Sequence, residues 1–412
     1  MGARGRQDLL LKLGELWQTK VEELSVLESL NNGTAISLQR SVIESLINEI
    51  RYHAGFCDKV DGRVVCDDAI DGNYHVYTKR EPIGVCGMII AWNLPLWCLM
   101  VKLMPCLAMG NTVVVKPAEQ TPLTALKVGE MLKEVGFPPG VVNILPGYGP
   151  TTGASIASHM KVRKIAFTGS TEVGRLIMKA SGDSNLKQVQ LELGGKSPLV
   201  IFDDVDLDEA VEIAASVFWN NGQECDACSR TFVHEKIYDQ FVEKAVERAK
   251  KLKIGDPLDP ETDIGPVVSP EQYERVLDYI NCGKTEGARL AYGGSDLSKE
   301  QFGGKGYYVQ PTIFVDVTDD MKICREEIFG PVQCLIKFSS VQEVVHRCND
   351  TSYGLAGGVL SKNIGNIFAI ANNLKAGTVW VNDYSKVMPQ AEFGGMKQSG
   401  FGREGGVTAL SE

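Results

Sequence analysis

Two α/β domains, each a mostly parallel sheet with helices on both faces, are what this 412-residue sequence predicts. Two observations carry that expectation. Between residues 84 and 192, short apolar runs at 84–91, 112–116, 141–145, 164–168 and 187–192 alternate with helical stretches. After Lys196-Ser197-Pro198 the alternation starts again with a strand at 199–202. The length suits two or three domains with substantial cores. A hydrophobic content of 44% and a charged content of 23% are ordinary for a globular chain.

In chain order, 7–31 reads as an amphipathic helix on Leu9, Leu10, Leu13, Leu16 and Trp17, ended by Asn31-Asn32-Gly33. A second helical stretch covers 37–60. Asp61-Gly62 opens a polar segment to Arg80, with Tyr74, Val76 and Tyr77 in hairpin-like alternation. The run 82–101 carries no charge and is long enough to span a membrane. Asn93-Leu94-Pro95 interrupts it, Gly84 and Gly87 lie in its first half, and Lys102 closes it. Strand, turn and buried helix is therefore the expectation. Pro122 sits in the first turn of the next helix and Gly136 stops it. In the second domain Asp206-Leu207-Asp208-Glu209 has capping-box spacing and starts the helix leading into 218–230. Strands at 231–233, 307–315, 332–338 and 378–381, helices at 235–252 and 341–349, and a Gly-rich tail at 394–406 complete the reading.

Composition narrows the partners. A net charge of −10 argues against nucleic acid and anionic membrane. Eleven cysteines without framework spacing suit a reducing compartment, here the cytoplasm, or the mitochondrion if a targeting segment precedes Met1. Residues 1–8 are polar and basic, with no apolar signal-peptide core.

Ligands of parallel sheets bind at the carboxyl ends of the strands. That rule marks Trp92-Asn93, Lys116-Pro117, Gly147, Gly169-Ser170 and Gly194-Gly195 as one rim. Phe167-Thr168-Gly169-Ser170-Thr171-Glu172-Val173-Gly174 follows a strand and opens a helix, which suits a pyrophosphate, although many strand-to-helix turns contain glycines. Lys116 and Glu119 follow the next strand, where a carboxylate can read ribose hydroxyls or simply meet solvent. Glu192 ends a strand in an apolar setting, as a general base or a salt-bridged edge residue. Three chemistries are open to Cys225. It is a buried structural thiol, a C-x-x-C partner of Cys228, or a nucleophile with its base elsewhere. No second C-x-x-C completes a zinc site, and among five histidines only His234 is near, so no metal is expected.

These four stretches, with Ala91-Trp92-Asn93-Leu94-Pro95 and Glu326-Glu327-Ile328-Phe329-Gly330-Pro331, resemble the aldehyde dehydrogenase superfamily. They occur in the family's order, from about residue 6 to the C-terminus, and are most similar to the NAD-dependent branch that yields free acids. The resemblance implies a Rossmann-like cofactor domain (1–61 and 83–194), an oligomerisation hairpin (62–82), an α/β catalytic domain (195–393) and a C-terminal segment (394–412) returning to the cofactor domain. It implies a homodimer or homotetramer acting on a small aldehyde. Cys225 matches the nucleophile, Asn93 the oxyanion donor beside the Cys225 N–H, and Glu192 the base that activates water. Trp92, Lys116, Glu119, Gly149, Phe167, Gly169, Ser170, Thr171, Glu172, Val173, Gly174, Leu193, Glu327 and Phe329 match cofactor contacts. Glu119 favours NAD over NADP, because a carboxylate repels a 2′-phosphate. Trp97, Trp219, Glu224, Asp226 and Phe393 match positions around the substrate tunnel. Two indoles beside two carboxylates suggest a preference for cationic aldehydes.

The sequence departs from the family pattern in three places. Asp226 follows the nucleophile where the family has a small or apolar residue, and with Glu224 it should raise the thiol pKa if both side chains point inward. The segment from Glu192 to Cys225 is one residue shorter than in relatives, and both chain ends look shortened. These departures keep a second expectation alive, a catalytically weak member with a structural, crystallin-like or binding role.

Overall fold

A computed structural model describes residues 1–65 and 74–412. The first sheet has six strands, in spatial order Gly400–Phe401, Gln188–Glu192, Lys164–Thr168, Val85–Ile89, Thr112–Lys116 and Val142–Ile144. All neighbours run parallel except Gly400–Phe401, which lies antiparallel to Leu191 and Glu192. Strand order reverses at Val85–Ile89, whose two neighbours are Thr112–Lys116 and Lys164–Thr168. Beyond the carboxyl ends at that reversal lies the crevice where an open α/β sheet takes its ligand.

Both faces are covered. The helices Ala3–Asn32, Ile36–Ala54, Pro95–Ala108 and Leu123–Glu134 bury one face around Trp17, Leu99, Met100, Leu103 and Val113. Trp17 satisfies its indole N–H at Ile43 O, 3.0 Å away. Ala3–Asn32 ends where Gly33 enters the left-handed region, at φ 86°, and its N–H returns to Ser29 O. Ile156, Ile165, Phe167 and Ile177 fill the opposite face. No described helix is long and apolar enough to cross a membrane.

The second sheet has seven strands, in order Arg289–Tyr292, Thr312–Val315, Val332–Phe338, Arg230–His234, Pro198–Ile201, Ala356–Leu360 and Thr378–Val381, with only the first antiparallel to its neighbour. Asp206 caps Leu207–Ala214 by accepting from the N–H groups of Asp208 and Glu209 at 3.0 and 3.1 Å.

The structure adds elements that sequence periodicity does not reveal: the helices Pro270–Thr285 and Ile364–Ala371 and the strands Arg289–Tyr292 and Ala356–Leu360. Ala356–Leu360 contains Gly357 and Gly358, which have no side chains to show strand alternation. A Cβ at these positions would lie 2.8 Å from Leu374 and 2.7 Å from Tyr384, so packing demands the glycines. The run expected as a strand at 307–315 is a strand only over Thr312–Val315. At 62–82, exposed Val64–Val65 pairs antiparallel with Val76–Tyr77, and the hairpin's centre, 66–73, lies outside the described residues.

Glu28 ties the first helix to the start of Pro95–Ala108. It is 1% exposed, its Oε1 accepts from Leu96 N–H at 2.8 Å, and its Oε2 has no partner. Burial pushes its carboxyl up to about 7. The folded chain therefore holds a proton that the unfolded chain has already released above its ordinary carboxyl pKa, and stability falls as pH rises through that window. Glu28→Gln keeps an acceptor and cannot ionise. It is expected to flatten the loss of stability between about pH 5 and 8 by up to about 3 kcal/mol, read from denaturant midpoints. A wild-type minus variant difference that is constant across that range would rule out the assignment.

Candidate functional site

The stretch around Cys225 is shaped by an unusual backbone. After Leu207–Ala214 the chain tightens, and Asn220, Asn221 and Gly222 all take positive φ, at 47°, 58° and 67°. Asparagine tolerates this region better than most residues, and Gly222 needs to be glycine because a Cβ would lie 2.1 Å from Gly330 O. Buried amides hold the turn. Asn220 Nδ2 donates to Asn93 O at 3.0 Å, and Asn93 Nδ2 donates to Gln223 O at 2.9 Å. Asn32 Nδ2 donates to the same Asn93 O at 2.9 Å, and Thr34 Oγ1 donates to Asn220 Oδ1. Gln223 donates to Asn220 O and accepts from Val268 N–H, both at 3.1 Å. Asn93 and the cysteine turn are thereby fixed to one another.

Cys225, Glu192 and Asn93 line one cavity of about 770 Å³, together with Trp92, Gly169, Ser170, Leu193, Glu327 and Phe329. The expected substrate residues Trp97, Trp219, Glu224, Asp226 and Phe393 line it too. Cys225 and Glu224 are half-buried, Asn93 and Asp226 are buried, and Glu192 is 3% exposed with its Oε1 unpartnered. Burial pushes the Glu192 carboxyl up to about 8. The Glu404 charge adds to the rise, and Lys102 opposes it. Lys102 is itself buried and donates to Thr168 Oγ1 at 2.5 Å and to Glu404. The Cys225 thiol is held well above its ordinary value by burial and by the carboxyls of Glu192, Asp226 and Glu224. Burial likewise raises Asp226, against the Ser385 hydroxyl, which donates to its Oδ2 at 2.9 Å. Three carboxyls this close to one thiol do not all ionise at neutral pH.

Glycines bring the strand end to the thiol. A Cβ on Gly195 would lie 2.2 Å from Cys225 O, and one on Gly194 2.3 Å from Glu327 Oε2. Glu327 Oε1 accepts from Gly195 N–H at 2.9 Å, and burial pushes its carboxyl up to about 7. Phe329, at φ 60°, packs edge-on to Trp92 with ring centroids 5.2 Å apart, joining the two sheet regions.

At the sheet's reversal, Ser170 caps Thr171–Gly182 by accepting from Val173 N–H at 3.2 Å. This leaves the first N–H groups of the helix without partners inside it. Phe167, Thr171, Glu172, Val173 and Gly174 are not in the cavity wall. Phe167 packs under Gly169, where a Cβ would meet its ring at 2.5 Å, and Gly174 makes room for Leu193. Lys116 and Glu119 also lie outside this wall and pair at 2.5 Å. Burial works to raise the Glu119 carboxyl, but Lys116 and the Gly149 N–H hold it below its usual range, so the structure brings Lys116, Glu119 and Gly149 together.

Two expectations change here. The chain's own Lys386 places its Nζ 5.6 Å from the Trp219 ring centroid, so a cationic substrate at that face would meet a like charge, although Trp219 stays 42% exposed. Cys228 is fully buried beside Ser216 Oγ (3.5 Å) and Ala214 O (3.7 Å), and it is not part of the cavity wall. Sequence reasoning missed Lys102, Glu404, Ser385, Lys386, Gln272 and Arg275. Gln272 and Arg275 donate to the carbonyls of Phe329 and Glu327 at 2.6 and 2.8 Å. A lone lysine closing an apolar run was the one signal available for Lys102.

The model of the aldehyde dehydrogenase family matches residues 1–412. Aldehyde dehydrogenase 1A1 of Bos taurus and that of Homo sapiens are each 54% identical over 414 aligned residues, covering all of this chain and 81% of the relative. The NAD+ complex of aldehyde dehydrogenase from Bacillus cereus is 48% identical with a TM-score of 0.96, over all of this chain and 82% of that one. The indole-3-acetaldehyde dehydrogenase AldA of P. syringae, in complex with NAD+ and IAA, is 40% identical with a TM-score of 0.96 and the same coverage.

The charge arrangement has a measurable consequence that needs no turnover. Alkylation of Cys225 by iodoacetamide, followed residue by residue by mass spectrometry, is expected to be slow at neutral pH and to quicken about tenfold per pH unit toward pH 9. Asp226→Asn is expected to raise the rate near pH 7 about tenfold, because one neighbouring negative charge is gone. An unchanged rate in the variant would remove Asp226 from the thiol's environment.

Proposed function

Since the chain belongs to the aldehyde dehydrogenase family, we propose that this cavity oxidises an aldehyde to its carboxylic acid with NAD, through a covalent bond to Cys225. The observation that carries the reading is the convergence of Cys225, Glu192 and Asn93 on one cavity beside the sheet's reversal point. The residues there suit a dinucleotide. The helix start at Ser170-Thr171 offers unpaired N–H groups to a pyrophosphate, and Glu119, kept ionised by Lys116, offers an acceptor to ribose hydroxyls. Glu327, anchored on Gly195 N–H, would face the second ribose. When bound, NAD supplies the hydride acceptor.

The chain's own residues do the rest. Cys225, as thiolate, adds to the aldehyde carbonyl. Asn93, whose Nδ2 already spends one N–H on Gln223 O, has its second N–H for the developing oxyanion, alongside the Cys225 N–H. Loss of hydride leaves a thioester on Cys225. Glu192 then takes a proton from water as that water attacks; burial sets its basicity, with Glu404 adding to the rise and Lys102 opposing it. With the carboxyl at about 8 and the thiol raised, both groups reach their working forms only as pH rises, so turnover should climb through pH 8. The exposed apolar pairing of Val64–Val65 with Val76–Tyr77 supports joining copies of this chain into a homo-oligomer.

Assays at mildly alkaline pH test the roles. Cys225→Ser is expected to lose at least about a thousandfold in kcat while NAD binding, followed by fluorescence, survives. Glu192→Gln is expected to keep a burst of about one NADH per chain and lose steady turnover. Substantial turnover in the first variant would exclude covalent catalysis. Loss of burst and steady state together in the second would move Glu192 to another role.

A further inference from the structure

A second cavity, of about 270 Å³, opens at the amino end of the first sheet and shares no wall residue with the one around Cys225. Cys57, Cys86 and Cys106 all line it, with Lys164, Arg6 and Glu412. Cys86 is the second residue of Val85–Ile89 and is buried. Cys106 lies in the last turn of Pro95–Ala108 and is half-buried. The strand that carries Trp92 and Asn93 past its far end thus begins beside a pair of thiols. We propose that Cys86 and Cys106 form a second reactive thiol centre, which hydroperoxides oxidise to a disulfide before they oxidise Cys225.

Glu81, Glu404 and Glu412 line this cavity together with Arg6, Arg80, Lys164 and Arg403, but the groups acting on Cys86 itself differ from those acting on Cys225. The Cys106 thiol, hydrogen-bonded to Cys86, holds the Cys86 thiol below its ordinary value. Burial opposes this and the Lys164 cation assists it. Cys106 is correspondingly raised by the same pairing and by burial, which makes it the proton donor of the two. Cys225, by contrast, faces Glu192, Asp226 and Glu224. A thiolate is the nucleophile toward peroxide, so the thiol beside a cation and a donor reacts ahead of one beside carboxylates. Cys57 is raised by burial and does not compete as the attacking thiolate.

The chemistry balances with the peroxide as oxidant. The Cys86 thiolate attacks one peroxide oxygen, the O–O bond breaks, and the leaving oxygen takes the Cys106 proton. Cys106, now a thiolate, attacks the Cys86 sulfenic sulfur and the S–O bond breaks. The departing hydroxide takes up the proton that Cys86 had released. Two thiols and one hydrogen peroxide become one disulfide and two waters.

The test treats the full chain with hydrogen peroxide near pH 7, blocks the remaining thiols and maps linkages by mass spectrometry without reduction. The expected result is a Cys86–Cys106 linked peptide accumulating at least about tenfold faster than loss of the Cys225 thiol. In Cys106→Ser, Cys86 should instead accumulate as a sulfenic acid that a dimedone probe traps. In Cys86→Ser, Cys106 should not be trapped. Aldehyde oxidation by Cys106→Ser, measured in parallel, confirms that the variant is folded. Cys225 oxidising first, a linkage from Cys57 in place of the 86–106 bond, or Cys86 remaining reduced would each overturn the proposal.

Discussion

The site depends on a set of buried amides that lock two distant turns together. Asn93 O accepts from Asn32 and Asn220, and Asn93 Nδ2 reaches Gln223, so residues from the first helix, the turn after Val85–Ile89 and the cysteine turn share one network. A buried amide that loses its partner costs about 1–3 kcal/mol. Slipping one turn past the other would strand several at once, and the network therefore selects a single arrangement. Glu28, holding the N–H of Leu96, fixes the helix that follows Asn93 from the other side. The left-handed backbone at Asn220, Asn221 and Gly222 is tolerated because these contacts over-determine it.

The same geometry creates an electrostatic tension. A base that takes a proton from water near neutral pH must be a carboxyl lifted above its ordinary range, and burial of Glu192 does that. The environment that lifts the carboxyl also keeps the adjacent thiol protonated, and Asp226 and Glu224 add to that effect. Lys102 limits the cost by placing one buried cation near Glu192, itself held by Glu404 and Thr168. Burial therefore sets most of the balance between base and nucleophile in this chain, with Glu404 raising and Lys102 lowering the Glu192 carboxyl.

That tail shows why the two sheets act as one unit. Gly400–Phe401 adds an antiparallel edge beside Glu192, and Ser399 Oγ donates to Gly194 O at 2.6 Å. The strand end carrying the carboxyl is clamped by the last residues of the chain, while Gly194 and Gly195 let Glu327 and the Cys225 backbone approach from the second sheet. Small residues at this seam are a packing requirement before they are anything else.

Much of this was legible in the sequence, because the signals are local. The strands at 112–116, 164–168 and 332–338, the helix at 341–349 and the Asp206 cap follow from periodicity and capping within a few residues, and the structure places them there. Asn93 fell on the expected ligand rim, and Glu192 and Cys225 stood out as candidate reactive side chains, but their local pattern left several chemistries open and the roles came from the family resemblance. Ala356–Leu360 did not read as a strand, because its glycines answer to Leu374 and Tyr384 rather than to their neighbours in the chain. Nor did Lys386 over Trp219, Lys102 against Glu404, or the inward turn of Asp226 toward Ser385. Residue identity and short-range spacing determined which groups could do chemistry. Their charge states and exposure were decided only when folding brought together side chains up to 302 positions apart, because desolvation and Coulomb interactions depend on distance in space.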